Sequence, residues 1–462
     1  MKIKELIKRD TGFQYVIDNM ELMSSAGRRA MLDTILLTDR PRLEAEWNRL
    51  EAAIHATQDP DSKRSYNDLR HCLMQLHDLQ GTLASLSAHT TLNEVELFEI
   101  KNLASINSKA REALVALRLD QAVCLPDLTE VFSLLDPDHT GIANFYIYDS
   151  YDERLAPLRH ELKALQEHDG DITRIAQLLA EQNEVQQQVC LHLSDRLTYH
   201  HDALATALEQ MAYADFLLAK ADLSIRWSLT RPVIGNRISH TLLVNPRLRD
   251  RNEQLGLRYQ PVSLSVAPGV TLITGANMAG KTVLLKSIGT AQMMIQCGFY
   301  SPAQASETML FSDIVSSIGD DQDEMNGLSS YASEIIKISD ILRRSRTEQM
   351  LVLIDEPART TNPIEGKALV QALISLLQQT SSVSLVTTHY SGLGAACRRL
   401  RVRGFVEDME HVPLTPQNIN RFIDYSLTED LSDNVPHEAL RIAAILGCDP
   451  ELITLAKQNI NQ

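Results

Sequence analysis

An apolar run, Val270-Thr271-Leu272-Ile273-Thr274, leads straight into Gly275-Ala276-Asn277-Met278-Ala279-Gly280-Lys281-Thr282, and a helical segment, Val283 to Ile288, follows. A strand, a glycine-spaced loop ending in Lys-Thr and a helix together make the P-loop pattern GxxxxGK[ST] in its required context. Gly275 and Gly280 let the backbone turn so that successive N–H groups and a helix N-terminus face a phosphate chain. Lys281 is placed to reach β- and γ-phosphates, and the Thr282 hydroxyl to ligate magnesium. The chain is therefore expected to hold a nucleoside triphosphate, read as ATP, together with Mg2+.

Two downstream segments complete that chemistry. Leu351-Val352-Leu353-Ile354 ends in Asp355-Glu356, with Asp355 74 residues beyond Lys281. A buried strand ending in Asp supplies the outer hold on magnesium, and an adjacent Glu can polarise an attacking water. Alone, such a run is an ordinary strand end; after a P-loop it reads as a catalytic pair. The run Val383 to Thr388 then ends at His389, 33 residues beyond Glu356. An imidazole there can hydrogen-bond a γ-phosphate, a role that depends on the other two motifs. Between them, Ser329-Ser330 opens a helical stretch, which serves equally as an N-cap or an anion-binding terminus.

The remainder of the chain is organised differently. Leu69, Leu73, Leu76 and Leu79 recur at helical spacing within a helical region from Leu6 to about Leu119. A turn at Leu135 to Gly141 leads to Ile142–Tyr148, a candidate small strand. Two long helical stretches follow, Glu153 to His168 and Ile172 to about Leu223, suited to a lever or coiled-coil arm or to a plain bundle. Beyond Trp227 the pattern becomes α/β, with strands expected at 242–244, 262–266, 270–274, 351–354 and 383–388.

Bulk properties narrow the class. At 462 residues, with 44% hydrophobic and 23% charged residues, the chain is an ordinary multidomain globular protein. It shows no signal-peptide core and no uninterrupted apolar span, so a cytoplasmic location without membrane contact is expected. Its six cysteines lack metal or disulfide spacing and read as buried free thiols. The net charge of −16 opposes indiscriminate attraction to phosphate backbones. Arg398, Arg399, Arg401 and Arg403 form a local basic run, read as a solvated face or domain contact before a nucleic-acid stripe.

At this point the residues resemble the MutS family of ABC-type ATPases, closest to its shorter branch without mismatch-reading domains. Thr274 to Thr282 is similar to TGPNMGGK[ST], Leu328-Ser329-Ser330-Tyr331 to the L-S-T-F signature, Asp355 to Gly366 to DELGxGTDPxEG, and Thr388-His389-Tyr390 to T-H-Y. Ala276, Ala279, Ala358 and Thr360 depart from the pattern. The resemblance implies an α/β P-loop ATPase domain preceded by an all-α core and lever domain. It divides the chain into 1–227 for core and lever, 228–430 for the ATPase, and 431–462 for closing helices that dimerise. It adds Asn277 as a γ-phosphate contact, places Ala276, Met278, Ala279, Val283 and His240 among the nucleotide-binding residues, and makes Ser329-Ser330 complete the partner subunit's site.

The catalytic set expected on this reading is Glu356, His389 and Lys281, with Thr282 and Asp355 at the metal. A homodimer or a paralogous heterodimer follows from the resemblance, with helical arms that close on ATP. Two targets stand open: DNA, or a partner protein acted on by a chaperone or reactivating factor. Between Gln166 and Gln182, where the family inserts a DNA clamp, only Asp169-Gly170-Asp171 is seen, and no Phe-x-Glu wedge precedes the core. Mismatch recognition of the standard kind is not expected.

Overall fold

The computed structural model describes residues 1–142, 144–167, 171–276, 279–318, 330–359, 361–394, 396–405, 422–430, 440, 443–444 and 447–460. The chain divides into two compact units. One comprises Met20–Thr34 and Asn48–Asp222; the other comprises Met1–Asn19, Ile35–Trp47 and Leu223–Gln462. The main passage between units falls at Asp222–Leu223, and the N-terminal 19 residues and a second short segment group with the C-terminal half.

The first unit is helical throughout its regular elements. Its helices include Lys63–Met74, Gln80–Ser87, Glu94–Ala116, Leu155–Glu167 and Ile172–Thr198, and most of His201–Trp227. The leucine pattern read from the sequence is the core: Leu69, Leu73, Leu76 and Leu79 are all buried. On Ile172–Thr198, Leu178, Val185, Val189, Leu193 and Leu197 are buried, whereas Leu179 faces solvent. The second long helical stretch breaks once, at Tyr199-His200.

Ile142–Tyr148 is not a strand at any described residue. Its carbonyls are taken by side chains instead of a sheet neighbour. Lys101 Nζ donates to Asn144 O at 3.0 Å, and Arg159 Nη2 donates to Ile147 O at 2.7 Å. Lys101 is fully buried and also meets Asp136 Oδ1 at 3.1 Å and the Tyr148 hydroxyl at 3.0 Å, so its charge is paired and hydrogen-bonded as burial requires.

The second unit contains two sheets. Strands β1 (Val233–Ile234), β2 (Ile238–Leu243), β3 (Val262–Val266) and β5 (Ala305–Thr308) form a four-stranded mixed sheet in the order β1-β5-β2-β3. The larger sheet uses β4 (Gly269–Thr274), β6 (Asp313–Ser317), β7 (Met350–Ile354), β8 (Val383–Thr387), β9 (Arg398–Phe405) and β10 (Ile423–Glu429). Its order is β10-β9-β4-β8-β7-β6, parallel except for the antiparallel edge strand β10.

Every residue of β4, β7 and β8 is buried, as expected of parallel strands covered on both faces. Helices Lys281–Gln296, Ser330–Ser345 and Pro363–Leu377 connect them. Because β8 lies between β4 and β7, the loops after all three strands open at one sheet edge, the place where open α/β sheets bind ligands.

The N-terminal segment braces the helix that follows β4. Asp10 caps helix Thr11–Asp18 by accepting from Phe13 N at 2.6 Å, and also accepts from Thr290 Oγ1 at 2.9 Å. Leu37 N donates to Gln296 O at 2.7 Å, and Gln296 Nε2 returns a bond to Leu37 O at 3.0 Å. No helix among the described residues is long and apolar enough to cross a membrane. Of the cysteines, Cys72, Cys190 and Cys297 are buried thiols, but Cys124 is exposed, against expectation.

Candidate active site at the carboxyl ends of the parallel strands

The loop after β4 turns on two glycines. Gly275 has φ +144°, and a Cβ there would lie 3.2 Å from Val402 Cβ. Gly280 has φ +79° and immediately precedes the helix Lys281–Gln296; its added Cβ would meet the Tyr425 ring at 3.0 Å. A side chain at either position would carry a left-handed backbone penalty as well as a steric one.

Lys281 opens the helix and folds back over the loop. Its Nζ donates to Gly275 O at 2.9 Å and Ala276 O at 3.1 Å, and stands 3.7 Å from Glu356 Oε1. Burial holds its pKa below the usual lysine range, opposed by the neighbouring Glu356 and Asp355 carboxylates.

The ends of β7 and β8 lock to the next residue of that helix. Thr282 Oγ1 donates to Asp355 Oδ2 at 2.6 Å, and Thr387 Oγ1 donates to Asp355 Oδ1 at 2.5 Å. The Thr387 hydroxyl oxygen in turn accepts from Glu356 N at 2.9 Å. Both oxygens of Asp355 are thereby fixed, and the chain leaves the strand with Glu356 at φ +45°.

His389 follows β8 and is stacked loosely on Tyr390, ring centroids 4.3 Å apart. Burial, reinforced by Lys281 and Arg359 against the opposing pull of Glu356, holds its pKa below the ordinary histidine value. It is therefore a neutral donor-acceptor at pH 7.

These groups share one open cleft of about 680 Å³, lined by Ala279, Gly280, Lys281, Thr282, Val283, Asp355, Glu356, Arg359 and His389. On the other side of Ala279-Gly280 lies a narrower cavity of about 250 Å³, whose lining includes Leu248, Tyr259, Val283, Leu284 and Tyr425. Gln260 fixes Tyr425 there: its Oε1 accepts from Tyr425 N at 3.3 Å while its Nε2 donates to Asp424 Oδ1 at 2.8 Å.

Most expected site residues therefore meet. Asn277, Met278 and Ser329 lie outside the described residues, and of Ser330 only its place at the start of helix Ser330–Ser345 is described. His240 is a correction. It sits on β2 with its ring inside the four-stranded sheet, donor or acceptor to Ser306 Oγ at 2.8 Å, and lines neither the cleft nor the adjoining cavity. Strand alternation is the reason: His240 shares the inward parity of Ile238, and both are buried. Burial pushes its pKa down to about 4, so it stays neutral in the core.

The sequence reading missed Arg359, Tyr259 and Tyr425. Tyr425 reaches the loop from β10, remote in the chain, and nothing in its local pattern signals that approach.

A family profile described as MutS domain V matches residues 271–462, the segment carrying the loop, Asp355, Glu356 and His389. Residues 271–462 thus match the ATPase domain of the MutS family. The similarity to MutS-family relatives extends beyond domain V. It is 33% identical over 224 residues to Endonuclease MutS2 of Geobacillus thermodenitrificans, covering 47% of this chain and 27% of that one. To the DNA mismatch repair protein MutS of Thermus aquaticus it is 30% identical over 237 residues, 51% of this chain and 28% of that one. A longer match, 27% identical over 409 residues, links it to Endonuclease MutS2 of Halalkalibacterium halodurans and covers 86% of this chain and 49% of the relative. The chain thus spans half or less of the length of these MutS relatives.

Proposed function

We propose that the cleft binds ATP with magnesium and hydrolyses it, and that two subunits complete one another's sites. The observation that carries this reading is the bonded set Thr282–Asp355–Thr387–Glu356, which joins the loop to both catalytic strands within reach of Lys281. Magnesium fits the donors present, because it is held by few carboxylates together with substrate phosphates. Thr282 and Asp355 would hold it, and its charge would offset that developing on the transferred phosphoryl group.

The residues then divide the work. Loop N–H groups and the start of helix Lys281–Gln296 face the phosphates, and Lys281 adds a point charge. Glu356, fixed by its own N–H to Thr387, accepts a proton from the attacking water. Neutral His389 hydrogen-bonds the γ-phosphate. The adjoining cavity, with the Tyr259 and Tyr425 rings in its lining, accepts the nucleobase.

A P-loop leaves the outer phosphate face open, and a helix N-terminus carrying hydroxyls is suited to close it from a partner. The Ser329-Ser330 pair at the start of helix Ser330–Ser345 takes that role, giving a two-fold arrangement with paired sites. Mixing Lys281→Ala chains with chains carrying Ser329→Ala and Ser330→Ala, each inactive alone, is expected to restore hydrolysis. One composite site in the heterodimer keeps both intact halves. No recovery despite proven subunit exchange, or full activity in a dilute monomer, contradicts the shared site.

For the target, DNA and a partner protein are both compatible with closing arms. The relatives named for mismatch repair and as endonucleases favour DNA. Only residues 168–171 separate helices Leu155–Glu167 and Ile172–Thr198, which leaves no room for a DNA clamp at that place and favours the protein remodeller. With a net charge of −16, duplex affinity is expected to be low at about 0.1 M salt, without preference for a mismatch. A titration of homoduplex and mismatched duplex decides it; a preference of roughly tenfold, about 1.4 kcal/mol, overturns this part of the reading.

A further inference from the structure

Two residues beyond Glu356 the backbone adopts a second left-handed residue that is not glycine: Ala358, φ +59°. An alanine held there is disfavoured relative to the right-handed region because its Cβ crowds the following carbonyl oxygen, so its neighbours must fix it. Two side chains do so from opposite ends of the residue. Glu334 Oε1, on helix Ser330–Ser345, accepts from Ala358 N at 3.1 Å. The Tyr390 hydroxyl, next to His389, donates to Ala358 O at 3.0 Å.

Helix Pro363–Leu377 leaves room for this contact. A Cβ on Gly366 would lie 2.2 Å from the Tyr390 hydroxyl oxygen and 3.1 Å from Ala358 O. Burial, with the Glu334 charge nearby, raises the Tyr390 pKa, so the hydroxyl stays protonated and available as a donor.

We infer that Tyr390 and Glu334 are positioning residues for the reaction, clamping Ala358 in its left-handed conformation so that Glu356, two residues earlier, stays aimed into the cleft. This rests on the proposed assignment of Glu356 as the base. The clamp also ties three parts of the mechanism together: the helix that Ser330 begins, the turn bearing Glu356, and the residue after His389. Glycine takes a left-handed backbone without penalty and would make the clamp dispensable. Alanine at 358 makes it necessary.

The test is a double-mutant cycle on the full chain, with steady-state ATP turnover and nucleotide affinity measured separately. Tyr390→Phe removes one hydroxyl and keeps the ring; it is expected to lower kcat about fivefold to tenfold, the effect of one lost hydrogen bond, with affinity unchanged. Gly366→Ala should act in the same direction by displacing that hydroxyl. In an Ala358→Gly background, Tyr390→Phe should cost less than about twofold, because the glycine no longer needs holding. An equal loss in both backgrounds, no loss in the alanine background, or a fall of affinity in step with kcat overturns the clamp. Glu356→Gln is assayed beside them: if it retained full turnover, the assignment of the base would fail, whereas an inactive Glu356→Gln beside a Tyr390→Phe of unchanged turnover rejects only the clamp.

Discussion

Replacing Lys281 by alanine is expected to lower ATP turnover by about 10² to 10³, the cost of removing a preorganised charge from a partly desolvated phosphate site. The side chain is nearly buried and supplies the loop's one cation among its described residues, so the substitution leaves the β- and γ-phosphates facing backbone dipoles alone. Affinity should fall as well, by roughly tenfold or more, since hydrogen bonds to charged groups contribute about 1.5–3 kcal/mol. Nucleotide titration and phosphate release measured on the same preparation check both effects. Unchanged affinity together with unchanged turnover contradicts the site assignment.

Glu356→Gln is expected to separate binding from chemistry. The glutamine keeps the size of the side chain and can keep the main-chain bond from residue 356 N to Thr387 Oγ1, but it cannot take a proton from water. Turnover should fall by about 10² or more while ATP affinity is retained, as for loss of a positioned base. Removing the carboxylate also relieves Lys281 of the group 3.7 Å away that favours its charged form, so a modest change in affinity of either sign is tolerable. A parallel collapse of binding and hydrolysis would make Glu356 a structural residue.

What the sequence disclosed depended on how each element is buried. Strands β4, β7 and β8 are covered on both faces, so they read as continuous apolar runs and were located within a residue of their ends. Strand β9 escaped because only alternate residues face inward. Leu400, Val402 and Gly404 are buried between arginines, which read as a basic run rather than a strand. Strand β6, Asp313-Ile314-Val315-Ser316-Ser317, is half polar, and its buried Asp313 pairs with Arg344 at 2.9 Å and Arg9 at 3.5 Å.

The same distinction holds in the site. Lys281, Thr282, Asp355, Glu356 and His389 are legible in the sequence because phosphate and metal chemistry calls for those side chains at the end of a glycine loop and just beyond strand ends. Tyr425 approaches Gly280 from β10, a contact with the loop that only the fold creates. His240 failed in the opposite way. Its place in the site rested on the resemblance alone, while its parity on β2 sent the ring into the core. The N-terminal segment, assigned by position to the helical half, groups with the ATPase unit because Asp10, Leu37 and their partners bond to helix Lys281–Gln296.

The central claim, hydrolysis of ATP by Glu356 in the cleft formed with Lys281, Thr282 and Asp355, is tested most directly by the nucleotide that the Glu356→Gln protein retains. The protein is incubated with ATP and magnesium, passed rapidly through a desalting column and denatured, and the released nucleotide is separated and quantified beside wild type. Intact ATP recovered from Glu356→Gln, with ADP from wild type, is the predicted result. ADP from both proteins, or no bound nucleotide in either, would contradict it.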